Sequence, residues 1–415
     1  MAALIAWVSW GREHGIGALK RRRNRNEDDE RRTMAQTYVA VTTPGLEHLL
    51  LQELRRMKIK RPKVIEGGVE FEATSRGLYE VLIWSRIAHR VMLRVTDFRA
   101  RDQRECYKKT RRYDWERLLG EDEAQQVSVR GVVHTSGIGG SGALSSSVLD
   151  GIRDHYTLDL KRAPVTLRQT ESAVTQAGEL AILARCVDDR CELSLEASSG
   201  SMHQRGWRVE TGEAPLRESY AAAILEAIEW DGAAPLLDPM CGSGTIVIES
   251  ARKALGMPPR VKAHHYGALS WGGVDAERFL EVYNAPPPGK QAVREEAPVW
   301  GRDKDREVVA KALKNVRRAG VAGAARIEQV ACDAGSPPDD VTGWIVSNPP
   351  YGERIEEGDS LRDLAVMLRE RFQGWRVALL LSETQQPPRT GAFWKDVLSF
   401  RNGGLPVKLW VGSVA

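Results

Sequence analysis

The 415-residue chain is predicted to be an α/β protein whose carboxyl-terminal half forms a doubly wound, Rossmann-like sheet, preceded by smaller α+β layers. Three observations predict this. From Leu216 onward, strand-length apolar runs alternate with helix-length segments, the order that builds a parallel sheet with its ligand at the carboxyl ends of the strands. A glycine-rich turn, Gly242-Ser243-Gly244, separates the first of those runs from a helix start. Between Tyr38 and Phe98, short strands and helices follow the mixed order of an α+β layer.

Taken in order, Tyr38 to Thr43 reads as a strand, and Leu46, Leu49, Leu50, Leu54 and Met57 share one helical face. Val64 to Phe71 reads as a strand around Gly67-Gly68, Leu78 to Trp84 as a helix, and Val91 to Phe98 as a strand. Arg99 to Arg117 then carries eight Lys/Arg and four Asp/Glu interleaved with Tyr107, Tyr113 and Trp115. It is either a solvated connector or a nucleic-acid contact, since cations neutralise phosphate and rings stack on bases. In the second case Arg99, Arg101, Arg104, Lys108, Lys109, Arg111 and Arg112 carry the contact. Strands follow near Gln126 to Val133, Leu180 to Val187 and Glu192 to Ala197. A connector rich in Gly, Arg and Trp, Gly200 to Pro215, leads into a helix over Leu216 to Ile228, favoured by its Ala and Leu content. The sheet then runs through Leu236 to Met240, Val299 to Arg302, Arg326 to Ala331, Trp344 to Ser347 and Arg376 to Leu381. Between its first two strands, the insertion Gly256 to Pro298 holds His264 and His265. They lack Cys or acid partners at metal spacing, so no metal is expected there.

Length predicts two or three domains, each able to bury a core. Of the net charge of +4, the first 36 residues supply eight Lys/Arg against five Asp/Glu, or +3, leaving the rest nearly neutral. Residues 1–36 are expected to be a disordered or mis-started extension, with Met34 the natural initiator. The apolar run Ala2 to Trp10 is short and has no basic leader, and no stretch reaches the ~18 apolar residues of a membrane helix. Cys106, Cys186, Cys191, Cys241 and Cys332 make neither a metal pattern nor a disulfide framework, which points to a reducing cytoplasm.

The chemistry is concentrated at strand ends. Gly242 and Gly244 let a ligand lie against main chain, and Asp238 just before them can meet an amine or cation. There is no third glycine at dinucleotide spacing and no Gly-Lys-Ser/Thr, which excludes a P-loop. The next two strands end in Asp303 and Asp333, and acids at such ends commonly grip ribose hydroxyls. The fourth ends in Asn348-Pro349-Pro350-Tyr351, whose acceptors and aromatic ring suit a planar exocyclic amine. A proline turn closing a strand is the alternative reading of that segment taken alone.

With the four strand ends in this order, the chain resembles class I S-adenosylmethionine-dependent methyltransferases that act on amines. It further resembles the bacterial 23S ribosomal RNA guanine-N2 methyltransferase family (RlmL-type). Supporting residues are Thr43-Pro44-Gly45-Leu46-Glu47, Glu66-Gly67-Gly68-Val69, Leu82-Ile83-Trp84-Ser85-Arg86, Met202 to Arg208, Ala214 to Glu218 and Asn348 to Arg354. The resemblance spans roughly residues 37 to 415. It implies a ferredoxin-like domain over 37–104, a THUMP RNA-binding domain over 105–199 and a methyltransferase domain with a seven-stranded sheet over 200–415. S-adenosyl-L-methionine is the implied cofactor. Asp303 would meet its ribose hydroxyls and Asp333 its adenine amine. Asp238, Pro239, Cys241, Gly242, Gly244 and Thr245 would floor its methionine end, and Arg217 and Glu218 would help cover it. The implied partner is 23S ribosomal RNA or a large-subunit assembly intermediate, for a cytoplasmic monomer without metal or membrane attachment.

The inferred reaction is direct displacement at the sulfonium methyl. Asn348 and the Pro349 carbonyl would accept the two protons of a guanine amine, Pro350 would stiffen the loop and Tyr351 would stack on the base. One departure stands out: Ser136 to Ser147 holds no Lys or Arg where relatives carry a more basic loop and helix. Asn-Pro-Pro-Tyr also serves DNA adenine and protein glutamine methylation, and the THUMP-like module favours RNA. A THUMP-class transfer-RNA guanine-N2 enzyme is the alternative, and a non-catalytic assembly protein a third class. Some relatives continue into a second methyltransferase; ending at Ala415, this chain is expected to have one activity.

Overall fold

Two sheets organise the chain. The computed structural model describes residues 35–119, 125–162, 165–171, 179–208, 216–261, 266–271, 275–289, 293–338, 342–350, 357–390 and 393–414. The expectations for the first 34 residues, Met34 included, for His264 and His265, and for Tyr351 lie outside the described residues.

The first sheet has eight strands: β1 (Gln36–Val41), β2 (Lys60–Ile65), β3 (Gly68–Ala73), β4 (Arg90–Arg99), β5 (Gln126–His134), β6 (Thr166–Gln169), β7 (Leu180–Val187) and β8 (Arg190–Glu196). Their order is β2-β3-β1-β4-β8-β7-β5-β6. β4 pairs antiparallel with β8 from Met92↔Glu196 to Arg99↔Arg190, so the two amino-terminal layers read from sequence share one continuous sheet. The single strand expected over Val64 to Phe71 is instead a hairpin, β2 to β3, turning at Gly67 (φ 72°). Nothing in the sequence announced β6, whose four residues are exposed or half-buried and carry no alternation.

Helices Glu47–Arg56 and Ser75–Trp84 pack on the β1–β4 half, burying Leu50, Leu54, Leu78, Leu82 and Ile83. Each such burial contributes roughly 1.5–3 kcal/mol. On the other half, helix Gln103–Arg111 lies against helix Ser141–Asp154. The arginine-free segment is therefore half helix, and its small residues have a packing role. Ser145 and Ser147 turn their hydroxyls back to the carbonyls of Ser141 and Ala143. At Gly151, farther along the same helix, a Cβ would lie 2.8 Å from the Thr110 side chain. Cys186 and Cys191 correct an expectation: they face each other in register across the β7–β8 hairpin, 4.0 Å apart at Cα, joined as a disulfide.

The second sheet has seven strands, as expected: β9 (Leu236–Asp238), β10 (Val299–Asp303), β11 (Ala325–Gln329), β12 (Trp344–Ser347), β13 (Arg376–Ser382), β14 (Lys395–Asn402) and β15 (Leu405–Ser413). Their order is β11-β10-β9-β12-β13-β15-β14. β9 to β13 run parallel, while β15 is antiparallel to both neighbours. The centre is apolar throughout: Leu236, Leu237, Ile345, Val346 and Leu379 to Leu381 are all fully buried, as both-face coverage by helices requires. Among the described residues no helix is long and apolar enough to cross a membrane.

The sheets share one apolar core, with Tyr79 edge-on to Phe279, and also meet through polar groups. Fully buried Arg205 donates to the carbonyls of Met202 and Arg86 and lies 3.2 Å from the Glu249 carboxylate. His89 Nε2 lies 2.9 Å from Ser219 Oγ, and Thr43 Oγ1 3.1 Å from the Tyr220 hydroxyl.

Candidate active site

β9 is the switch point of the second sheet, with β10 and β11 on one flank and β12 and β13 on the other. A crevice at the carboxyl end of such a strand is where doubly wound sheets bind ligands. The glycine turn follows β9 directly. Gly242 (φ 54°) and Gly244 (φ 86°) occupy the left-handed region, which glycine enters without penalty, and Gly244 immediately precedes helix Thr245–Ala254. A Cβ on Gly242 would meet nothing within 4 Å, so open space lies over this backbone. The turn is anchored below: Cys241 N–H donates to the Arg302 carbonyl at 2.8 Å, and the Asn315 amide to the Ser243 carbonyl at 3.1 Å.

Two carboxylates converge there. Asp238 is 2% exposed and accepts from Ser347 Oγ at 2.8 Å and Met240 N–H at 3.2 Å. Burial lifts its carboxyl to about 7, the Asp303 charge adds to the rise, and the Ser347 and Met240 hydrogen bonds oppose it. Asp303, half-exposed at the end of β10, accepts from Gly242 N–H at 3.1 Å and Asp305 N–H at 3.0 Å. Asp333 stands exposed beyond β11 in the turn Cys332–Ala334. Pro239 and Cys241 are buried within the turn; burial drives the Cys241 thiol far up and the Cys332 thiol to about 12, so neither is a ready nucleophile.

From the neighbouring strand, β12 delivers Asn348 and Pro349 to the same edge. Ser347, fully buried, couples the two strand ends through Asp238. Asn348 Oδ1 is buried with no hydrogen-bond partner among the described residues. An unmade acceptor of this kind costs about 1–3 kcal/mol, a cost that a ligand, water or ion donating to it removes.

Sequence reasoning missed two members, Ser347 and Arg208. Arg208 Nε lies 3.2 Å from the buried Glu218 carboxylate, and its Nη2 donates to Thr245 Oγ1 and the Leu216 carbonyl, each at 2.7 Å. It thus ties the start of helix Glu218–Ala227 to the first residue after the glycine turn. Burial raises the Glu218 carboxyl and lowers the Arg208 guanidinium. Arg217, just before that helix, stacks its guanidinium on the Tyr220 ring at 5.6 Å.

Residues 205–387 match the family described as RMKL-like, methyltransferase domain, and residues 37–92 match the RlmL ferredoxin-like domain. Residues 205–387 are thus an RMKL-like methyltransferase domain, and residues 37–92 an RlmL-type ferredoxin-like domain. The Ribosomal RNA large subunit methyltransferase K/L of Methylococcus capsulatus is 32% identical over 394 residues, 92% of this chain and 52% of that protein. The chain thus spans about half the length of this curated relative. Among solved structures, SMU.472 complexed with SAH gives a TM-score of 0.79 at 24% identity, covering 92% of this chain and 99% of its own. A predicted N6-adenine-specific DNA methylase from Listeria monocytogenes gives 0.78 at 23%, covering 94% and 98%. TrmN from Thermus thermophilus gives 0.63 at 17%, covering 92% and 100%. At these identities the likeness establishes the fold.

In this chain the basic segment 99–112 is mostly one helix, Gln103–Arg111, capped by Asp102 accepting from Glu105 N–H at 2.7 Å. Arg99, Arg101, Arg104, Lys108, Lys109 and Arg112 are exposed. Two of the seven expected RNA contacts have internal partners: Arg111 grips Asp159 with two bonds of 2.6 and 3.0 Å, and Lys109 donates to the Arg99 carbonyl at 2.6 Å. A groove beside the helix is lined by Gln103, Arg104, Tyr107, Asp150, Arg153 and Asp154, a mixture of charges rather than a basic trough.

Proposed function

We propose that the chain methylates the exocyclic N2 amine of a guanine in 23S ribosomal RNA, using S-adenosyl-L-methionine in the cytoplasm. The observation that carries this reading is the unpartnered Asn348 Oδ1 at the end of β12, beside a glycine turn with open space over Gly242. The name of the Methylococcus relative supports large-subunit ribosomal RNA as the substrate class. The residues suit the cofactor: Gly242 offers bare backbone, Asp303 would meet the ribose hydroxyls, Asp333 the adenine amine and buried Asp238 the methionine ammonium.

When bound, the cofactor supplies an electrophilic sulfonium methyl. The protein's part is to orient the amine. Asn348 Oδ1 and the Pro349 carbonyl accept its two protons, which aims the otherwise delocalised nitrogen lone pair at the methyl. Positioning of this kind is worth up to ~7–11 kcal/mol. Pro350 would stiffen the loop, and Tyr351 would stack on a base withdrawn from its helix. No strong general base is required, because the amine becomes acidic only as the methyl arrives.

For Asn348→Ala the expected result is cofactor affinity within about twofold of wild type by calorimetry, while turnover falls by two or more orders of magnitude. Near wild-type turnover would overturn the amine clamp. Labelled-cofactor assays on deproteinised large-subunit RNA and on transfer RNA decide the substrate, and exclusive labelling of transfer RNA would reverse it.

A further inference from the structure

We infer that the first sheet's helical layer carries a divalent transition-metal site, with zinc the best fit, formed by His155, Glu116 and Asp114. Each offers one ligand atom, all within 4.8 Å of one another. Asp114 and Glu116 follow the basic helix Gln103–Arg111. His155 comes from the far end of helix Ser141–Asp154, where a single π-helical turn, His155–Asp159, replaces the α-helix. Such turns are frequent at functional positions.

The decisive geometry is at the imidazole. His155 is 8% exposed, and its Nδ1 lies 3.1 Å from the Arg111 carbonyl. A carbonyl can only accept, so Nδ1 carries the hydrogen, and in the neutral ring Nε2 is left with a bare lone pair. That Nε2 is buried without a hydrogen-bond partner, 3.6 Å from Glu116 Oε2, itself buried without one. A separation of 3.6 Å is too long for a hydrogen bond. Two metal bonds of ~2.1 Å meeting near the tetrahedral angle hold their donors about 3.4 Å apart. An imidazole locked in tautomer by a backbone carbonyl is the usual support for a metal-bound histidine. Asp114 is exposed, with Arg117 Nε 3.6 Å from its carboxylate, and supplies the outer ligand. One nitrogen and two carboxylates suit a borderline divalent ion. The bound ion would clamp the segment after the basic helix to the helix behind it.

The test uses the full chain, tag-free and stripped with chelator. Zinc chloride titrated by calorimetry should give one saturable equivalent and raise the melting temperature, with manganese weaker. Cobalt should give a visible spectrum of low-symmetry coordination. Glu116→Gln and His155→Gln should weaken zinc binding at least tenfold, in line with loss of a ligand. Asp114→Asn, at an exposed position that leaves folding intact, should weaken it severalfold. If zinc uptake is absent, or is the same in Asp114→Asn and Glu116→Gln as in wild type, the site is a His155–Glu116 ion pair and the inference fails.

Discussion

Asp238 carries its consequences in a single carboxyl. Burial raises it to about 7, well above the ~3.9 of an unfolded aspartate. Between those values the folded state binds the extra proton, so this residue lowers stability as pH rises from about 4 to about 7. A ligand ammonium reverses the preference by favouring the ionised form. Cofactor binding at pH 6 should therefore release a proton, and affinity should rise toward a plateau above pH 7. Calorimetry in buffers of different ionisation heat measures the release, and Asp238→Asn should abolish it while weakening binding. Release unchanged in the variant would remove Asp238 from the cofactor site. Asp238 was legible in the sequence because an acid before a glycine turn is a local pattern. Ser347 and Arg208 were not, since what matters is that Ser347 meets Asp238 and Arg208 meets Thr245 across the fold.

At the scale of elements, the helix pair Gln103–Arg111 and Ser141–Asp154 shows the same limit. Its sequence reads as a basic connector and a glycine- and serine-rich segment, Ser136 to Ser147, while the apolar stripe of the second helix, Leu144, Val148, Leu149 and Ile152, lies mostly beyond that segment. Packing of the two helices on each other is what makes them helices: Thr110 seats against Gly151, and the Tyr107 hydroxyl donates to Asp154 at 2.6 Å. Gly151→Val should destabilise the protein by about 1–3 kcal/mol through overpacking, read as a lower urea midpoint. An unchanged midpoint would mean the helices are not closely packed. Replacing Arg104, Lys108 and Arg112 together by alanine should leave that midpoint alone and weaken RNA binding. The slope of log K against log salt should shrink by about 2, at ~0.7 for each phosphate of single-stranded RNA that is no longer neutralised. If the slope does not move, the cations face solvent only. The strongly periodic strands β4, β5, β7, β12 and β13 lie within two residues of their expected bounds. β6 and β14 are edge strands with weak burial patterns, and only pairing with β5 and β15 defines them.

Across the whole molecule, one buried charged cluster couples the half built on the first sheet to the half built on the second. Glu249 sits one turn into the helix that follows the glycine turn, fully buried between Arg205 Nε at 3.2 Å and Arg86 Nη1 at 3.5 Å. Arg86 belongs to the loop after helix Ser75–Trp84, under the first sheet. Its Nη2 reaches the Met257 carbonyl, so the same guanidinium grips both halves. Burial lowers the Arg86 pKa, and the Glu249 charge opposes that shift. Removing the carboxylate therefore leaves two like charges buried together. Glu249→Gln should cost about 3–5 kcal/mol, the range for an uncompensated buried ion. Because Arg205 holds the Arg86 carbonyl as well, the loss should fall on the junction. Urea unfolding, followed by fluorescence and by limited proteolysis, should separate into two transitions, the half built on the second sheet losing cofactor affinity first. Arg205→Met together with Glu249→Leu, which removes both charges, should recover part of the stability without restoring the Arg205 bond to the Arg86 carbonyl. A Glu249→Gln variant that unfolds in one transition within about 1 kcal/mol of wild type would mean that apolar packing alone joins the halves.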